Sequence, residues 1–312
     1  MTNIIFFGTP DFILPVLDSI NSSFNLLAIV TQPDKPQGRK QILTQSPSKE
    51  FGTKHTIPVL TPSKLNNEFI TTLQSQFPIV DLCVLAAYGK IIPTPLLALP
   101  KLGFLNIHPS LLPRYRGATP TLGPLLRGEP TTSISYMLMD HLMDHGPIIS
   151  QTQFPISPNT NRDQLTKSMF QTASLQIPSI INNFLNSPHS TPQNHTQATY
   201  TPILSKSDGF ISWDTLIKAI QSKNIQIESF SPKIQSIIQD IYVSHLGAKF
   251  LHQTCLALSP WPGLWTLTPQ NKRLKILTSS LIDNQFIPQK VQLEGSTPTD
   301  WEKLTNLHLL KP

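Results

Sequence analysis

Asn3-Ile4-Ile5-Phe6-Phe7 is an unbroken apolar run of strand length, and it constrains the fold more than any other stretch. A strand with no polar face must be covered on both sides, the condition of a parallel sheet held between helices. Gly8-Thr9-Pro10 turns the chain, and Phe12, Ile13, Val16, Leu17 and Ile20 then recur at helical spacing. Pro15 should loosen that helix early on, because it removes a backbone donor. Leu26 to Thr31 supplies a second strand and completes a β-α-β unit. Ser63 can cap a helix with Leu65, Phe69, Ile70, Leu73 and Phe77 on one face, and Ile79 to Ala86 predicts the next buried strand. The N-terminal part is therefore α/β, a Rossmann-like doubly wound sheet. Gly8 stands alone in the first turn, so the G-x-G-x-x-G fingerprint of a nicotinamide or flavin enzyme is absent.

A chain of 312 residues can bury more than one core, and two domains are expected. The composition shifts at 186–201, which is rich in Ser, Pro, Thr, Asn, Gln and His and cannot order itself by burial. The domains are accordingly 1–188 and 203–312, with 189–202 as linker. Net charge is +6, with 13 Lys+Arg against 10 Asp+Glu in 1–200 and 11 against 8 in 201–312. Each part is thus +3, which suits an anionic partner without a basic tail. Cys83 and Cys255 lie in apolar stretches with no C-x-x-C, as buried reduced thiols do. No apolar run reaches the roughly 18 residues of a membrane span. The chain enters a strand at once, so a soluble, cytoplasmic protein without a signal peptide is expected.

Chemistry concentrates further on. If Leu105 to His108 is extended, Asn106 and His108 share one face, where an amide and an imidazole could hold an oxyanion and manage a proton. The bland alternative is a strand cap beside a satisfied core histidine. Pro109 and Pro113 stiffen the loop around Ser110, Leu111 and Leu112, and Arg114-Tyr115-Arg116-Gly117 follows. Thr119 to Leu126 predicts a short helix, and Thr132 to Met139 and Ile148 to Phe154 predict strands joined by the loop from Asp140 to Gly146. Asp140 and Asp144 are two carboxylates on that short loop, where turn chemistry is the bland reading. The His141/His145 spacing also fits a metal pair on a helix, although Gly146-Pro147 ends any helix there and no third ligand is evident. A helical stretch opens at Thr160 or Asn161, with Pro178 breaking it.

The run Asn106-Ile107-His108-Pro109-Ser110-Leu111-Leu112-Pro113-Arg114-Tyr115-Arg116-Gly117 resembles the N-x-H-x-S-L-L-P-x-x-R-G signature of the 10-formyltetrahydrofolate-dependent formyltransferases. The likeness is nearest to the branch that formylates methionyl initiator tRNA. It extends to Phe7-Gly8-Thr9-Pro10-Asp11-Phe12, to Ala87-Tyr88-Gly89-Lys90-Ile91-Ile92-Pro93, and to Met139-Asp140 through Gly146 against M-D-x-x-x-D-x-G. His141, His145 and Pro147 depart from the commonest form of that last motif.

The resemblance implies Asn106, His108 and Asp144 as the catalytic group, with Asp144 the acid/base residue. It implies a folate site lined by Ser110, Leu111, Leu112, Pro113, Ala87, Tyr88, Gly89 and Asp140, and no metal. The loop Thr31 to Lys40 resembles the tRNA-contacting T-Q-P-D-x-P-x-G-R element, which assigns Lys35, Arg39 and Lys40 to tRNA, though a solvated basic loop is the plainer reading. Ile203 to Trp213 and Leu258 to Thr266 resemble the family's C-terminal domain, an open β-barrel of the oligonucleotide-binding type. Lys272 to Leu277 and Gln289 to Glu294 fit its strands, and Trp261 and Trp265 are expected as core fillers; 215–255 matches poorly. The implied activity is formyl transfer from 10-formyltetrahydrofolate to initiator methionyl-tRNA, by a monomer. A formyltransferase for a small amine, with the same donor, is the alternative, and a non-catalytic RNA-binding protein on the same scaffold is a second.

Overall fold

The computed structural model describes residues 1–38, 41–240 and 246–306. Two compact units emerge. One comprises Met1–Arg116, Ser133–Phe154 and Thr166–Ala198, and the other Gly117–Thr132, Pro155–Leu165 and the described part of Thr199–Pro312.

The first unit is built on a seven-stranded sheet. Its strands are β1 (Asn3–Gly8), β2 (Asn25–Val30), β3 (Val59–Leu60), β4 (Leu82–Ala86), β5 (Phe104–His108), β6 (Thr131–Leu138) and β7 (Ile148–Pro155), in the order β7-β6-β5-β4-β1-β2-β3. From β3 to β5 all pairings are parallel, whereas β5 and β6 are antiparallel. The apolar run dictates this placement: Ile4, Ile5, Phe6 and Phe7 are all fully buried, as only a strand covered on both faces allows. Ile5, Phe7, Ala28, Val30, Cys83 and Leu85 share one core with Ile70 and Leu73 of helix Asn67–Gln76. Full burial of each large side chain in this core contributes about 1.5–3 kcal/mol.

Local chemistry moves several boundaries. Helix Asn67–Gln76 is capped by Asn66, whose side chain accepts from the Phe69 amide at 3.1 Å, and Ser63 is not its cap. Pro15 lies in the first turn of helix Leu14–Ser23, where its missing N–H costs nothing, so it does not loosen the helix. Ile79 is exposed, and the strand begins only at Leu82. The helix expected over Thr119 to Leu126 spans Leu122–Arg127. Helix Arg162–Asn186 runs through Pro178 without a break, contrary to expectation; Asn161 and Gln164 form a reciprocal cap at its start.

The second unit carries an antiparallel sheet of four strands, β8 (Leu264–Leu267), β9 (Arg273–Ile282), β10 (Gln285–Leu293) and β11 (Thr299–Asp300). Asp283 and Asn284, both at positive φ, make the two-residue turn between β9 and β10, so both strands are longer than the sequence suggested. The described part of the unassigned stretch 215–255 contributes to three helices, Trp213–Ile220, Pro232–Ile238 and Ala248–Leu258, which present Leu216, Ile234, Ile238 and Leu251 to the interior. Trp261 is 52% exposed and is no core filler. Trp265 is partly buried, packs its ring 4.8 Å from Phe210 and donates Nε1–H to the Lys206 carbonyl at 2.9 Å. No described helix is long and apolar enough to cross a membrane.

Candidate active site

β5 lies between β4 and β6, and it carries the two polar residues of the N-x-H run. Asn106 is 7% exposed and His108 4%. The antiparallel pairing sets what meets them. Leu138 pairs with Leu105, one residue before Asn106, so the loop leaving β6 folds back over the polar face of β5. Asp144 thereby arrives with Oδ1 3.3 Å from the Asn106 amide nitrogen and 3.6 Å from His108 Nδ1. The other ring nitrogen, Nε2, lies 3.0 Å from the Tyr115 carbonyl. A carbonyl only accepts, so Nε2 carries a proton and Nδ1 is the nitrogen that faces the carboxylate. The structure thus brings together the three residues predicted as catalytic.

The loop is itself fastened. Asp140 Oδ1 accepts from the Leu142 amide at 2.9 Å, and its Oδ2 meets His145 Nδ1 at 2.6 Å. Partial burial works to raise the Asp140 pKa, but the His145 and Leu142 hydrogen bonds and the nearby imidazoles outweigh it, and the net shift is downward. His145 therefore pairs with Asp140 and stacks on His195, ring centroids 3.8 Å apart and 4° from parallel. Burial, with His145 and Arg116 nearby, lowers the pKa of His195 despite Asp140. Asp144 adopts φ +48, a conformation that costs a residue with a Cβ about 1–3 kcal/mol. Among the described residues, no group of three His, Cys, Asp or Glu is arranged to hold a metal ion.

The residues predicted to line a folate site divide by orientation. Ser110 is fully buried, and its hydroxyl donates to the Arg114 carbonyl at 2.8 Å. Leu112 is buried too, its amide donating to Ser135 Oγ and its carbonyl accepting from Gln151 Nε2. Pro113 is partly buried, and Leu111 is exposed. Ala87 and Gly89 hold the left-handed conformation beyond β4, at φ +47 and +79. Between them Tyr88 buries its ring against Phe7 and offers only its carbonyl, which accepts from Gln32 Nε2 at 2.7 Å. Ile91, Leu111, Leu142 and Met143 leave apolar side chains in solvent on the loops that follow β4, β5 and β6.

Lys35–Gln37 pairs antiparallel with Ile42–Thr44, and Lys35 bonds Gln32 Oε1. Arg39 and Lys40 fall outside the described residues. A cavity of about 410 Å³ lies between this hairpin and the ends of β1 and β2, lined by Thr9, Asp11, Gln32, Lys35 and Ser46. Asn106, His108 and Asp144 do not line it.

Sequence reasoning missed Gln193 and the part played by Arg116. Gln193 falls in the stretch read as linker, but it is 6% exposed and bonded to Arg116 and to the Asp144 loop. The stretch is also anchored by Thr191, which exchanges two 2.8 Å backbone bonds with Ile148. A Ser/Pro/Asn/Gln-rich composition carries no signal of such pairing.

The Formyl transferase family profile matches residues 2–181. The chain is similar to the methionyl-tRNA formyltransferase of Staphylococcus aureus strain JH1, 42% identical over 293 residues, covering 92% of this chain and 82% of that protein. In fold it is similar to a methionyl-tRNA formyltransferase from Clostridium thermocellum, with a TM-score of 0.55, 16% identity, and coverage of 94% and 99%. An N-formyltransferase from Helicobacter canadensis, solved with folinic acid and dTDP-3-aminofucose, gives a TM-score of 0.59 at 17% identity, covering 91% and 89%.

Proposed function

We infer what this chain does from the premise that it belongs to the formyl transferase family. It transfers the formyl group of 10-formyltetrahydrofolate to the free α-amino group of methionyl initiator tRNA, giving N-formylmethionyl-tRNA for translation initiation. The identity to the Staphylococcus relative over nearly the whole chain supports this choice of acceptor over a small amine. The observation that carries the chemistry is the convergence of Asn106 and His108 on one oxygen of Asp144. The work belongs to a bacterial-type cytoplasm and is done by a monomer.

The folate supplies the formyl carbon, and N10 is the leaving group. Attack by the amine puts negative charge on the formyl oxygen, and the amine must lose a proton. Asn106 Nδ2 donates to that oxyanion, and His108 assists from Nδ1 when protonated. Asp144 holds the imidazole in register, takes the amine proton and returns it, directly or by relay, to N10 as the C–N10 bond breaks. The 3.6 Å separation is longer than a hydrogen bond and is closed by a small shift of the loop on binding or by one water. The amine is the nucleophile, so no Ser or Cys nucleophile is required.

Folate release settles the acceptor. The protein is mixed with 10-formyltetrahydrofolate and, separately, methionyl initiator tRNA, glycinamide ribonucleotide and an amino-sugar nucleotide. Release with the tRNA alone is expected. Release with a small amine and none with the tRNA would overturn the assignment.

A further inference from the structure

We propose that Gln193 is a positioning residue for Asp144, acting through the main chain of the Asp140–Gly146 loop. The inference rests on the reading of Asp144 as the acid/base group. The side-chain amide of Gln193 is committed at both ends. Its Oε1 accepts from Arg116 Nε at 3.3 Å and Nη2 at 2.6 Å. Its Nε2 donates to the Asp144 carbonyl at 2.9 Å and the Gly146 carbonyl at 2.7 Å. A guanidinium has only donors and a carbonyl only accepts, so the amide fits in this orientation and no other.

Both ends of the link are fixed. Arg116 is 2% exposed, and its Nη2 also lies 2.9 Å from His195 Nδ1. Gln193 stands two residues beyond the Thr191–Ile148 backbone pair. On the loop side, Gly146 packs so tightly that an added Cβ would come within 2.0 Å of the Leu138 carbonyl oxygen. Between these points Asp144 keeps φ +48, uncommon for a residue with a Cβ though least so for Asp and Asn. Gln193 secures the peptide that carries this conformation, and so aims the carboxylate at His108 Nδ1.

The test compares full-length Gln193→Met, Gln193→Glu and Asp144→Asn with the natural protein. Glu keeps the volume and the Arg116 contact but turns a carboxylate oxygen toward two carbonyls, so it removes the donors without opening a cavity. Two quantities are measured: kcat and KM for both substrates, and the titration of His108 by NMR of histidine-labelled protein. Both Gln193 variants should lose about 10–100-fold in kcat with far smaller changes in KM, the usual effect of a sub-ångström to 1 Å misplacement. The His108 titration should move toward that of Asp144→Asn. Natural kcat in Gln193→Glu, or a lowered kcat with an unmoved His108 titration, overturns the proposal. If Gln193→Met fails to fold, Gln193→Glu decides by the same criteria. Should Asp144→Asn itself turn over at the natural rate, the acid/base reading fails; the His108 titration then judges Gln193 alone, a shift upholding its positioning and no shift refuting it.

Discussion

His108 and Asp144 face each other across 3.6 Å, Nδ1 to Oδ1, while Nε2 of the same ring is bound to the Tyr115 carbonyl at 3.0 Å. The ring therefore cannot turn to exchange its nitrogens without breaking a buried bond. Asp144→Asn and His108→Ala should each lower kcat at least ~100-fold while KM changes much less, the scale of general acid/base and oxyanion effects. Natural turnover in either variant would remove that residue from the chemistry.

The Asp144 loop should tolerate no side chain at Gly146. A Cβ there would stand 2.0 Å from the Leu138 carbonyl oxygen and 3.3 Å from the Asp140 nitrogen. Both neighbours are backbone, so the strand or the loop has to move. Gly146→Ala is expected to destabilise by about 1–3 kcal/mol in urea unfolding and to cost activity beyond that. Unchanged stability and rate would show the loop to be plastic.

Tyr88 hides its hydroxyl in the core with no hydrogen-bond partner among the described residues, and burial pushes its pKa up to about 12. Tyr88→Phe removes an unpaired polar atom and keeps the carbonyl that Gln32 binds. Stability should be unchanged or higher by about 1 kcal/mol. A drop of more than that in thermal unfolding would mean the hydroxyl has a partner after all.

Acid should weaken the second unit through His252. The ring is buried between Ser279 Oγ and Asn159 Oδ1, each 2.9 Å away, and burial lowers its pKa below the ordinary 6.5. The folded state resists protonation there, so this contribution is intact above pH 6.5 and is lost as pH falls through the depressed pKa. Asp140 and Asp208, with pKa values below 3.8, enter only at much lower pH. Tm should fall as pH drops below 6.5, and His252→Gln, which can keep both hydrogen bonds, should flatten that fall. An equal slope in the variant would assign the effect elsewhere.

Arg39→Ala should weaken initiator-tRNA binding and reduce its dependence on salt, because a complex that neutralises one phosphate fewer releases fewer counterions. An unchanged slope of log affinity against log salt would exclude phosphate binding by that side chain.

Much of this was written locally. The apolar run of β1 announced a covered parallel sheet, and alternation put Asn106 and His108 on one face. The Asp283-Asn284 turn is equally local, a pair of residues at positive φ between two antiparallel strands. Asn66 and not Ser63 caps the helix because the helix starts at Asn67. The helix through Pro178 went the other way because one lost backbone bond was outweighed by the burial of Ile177, Ile181 and Phe184.

By itself, then, the order of residues determined what is short-ranged: the period of each element, the turn chemistry, and which polar side chains stand on which face. Distance along the chain hid the rest. Asp144 meets Asn106 over 38 residues and Gln193 meets Arg116 over 77, and those meetings exist because β6 runs antiparallel to β5 and Thr191 pairs with Ile148. Hydrogen bonds of that span leave no periodicity behind. They are decided only when the core has packed and buried donors must find acceptors.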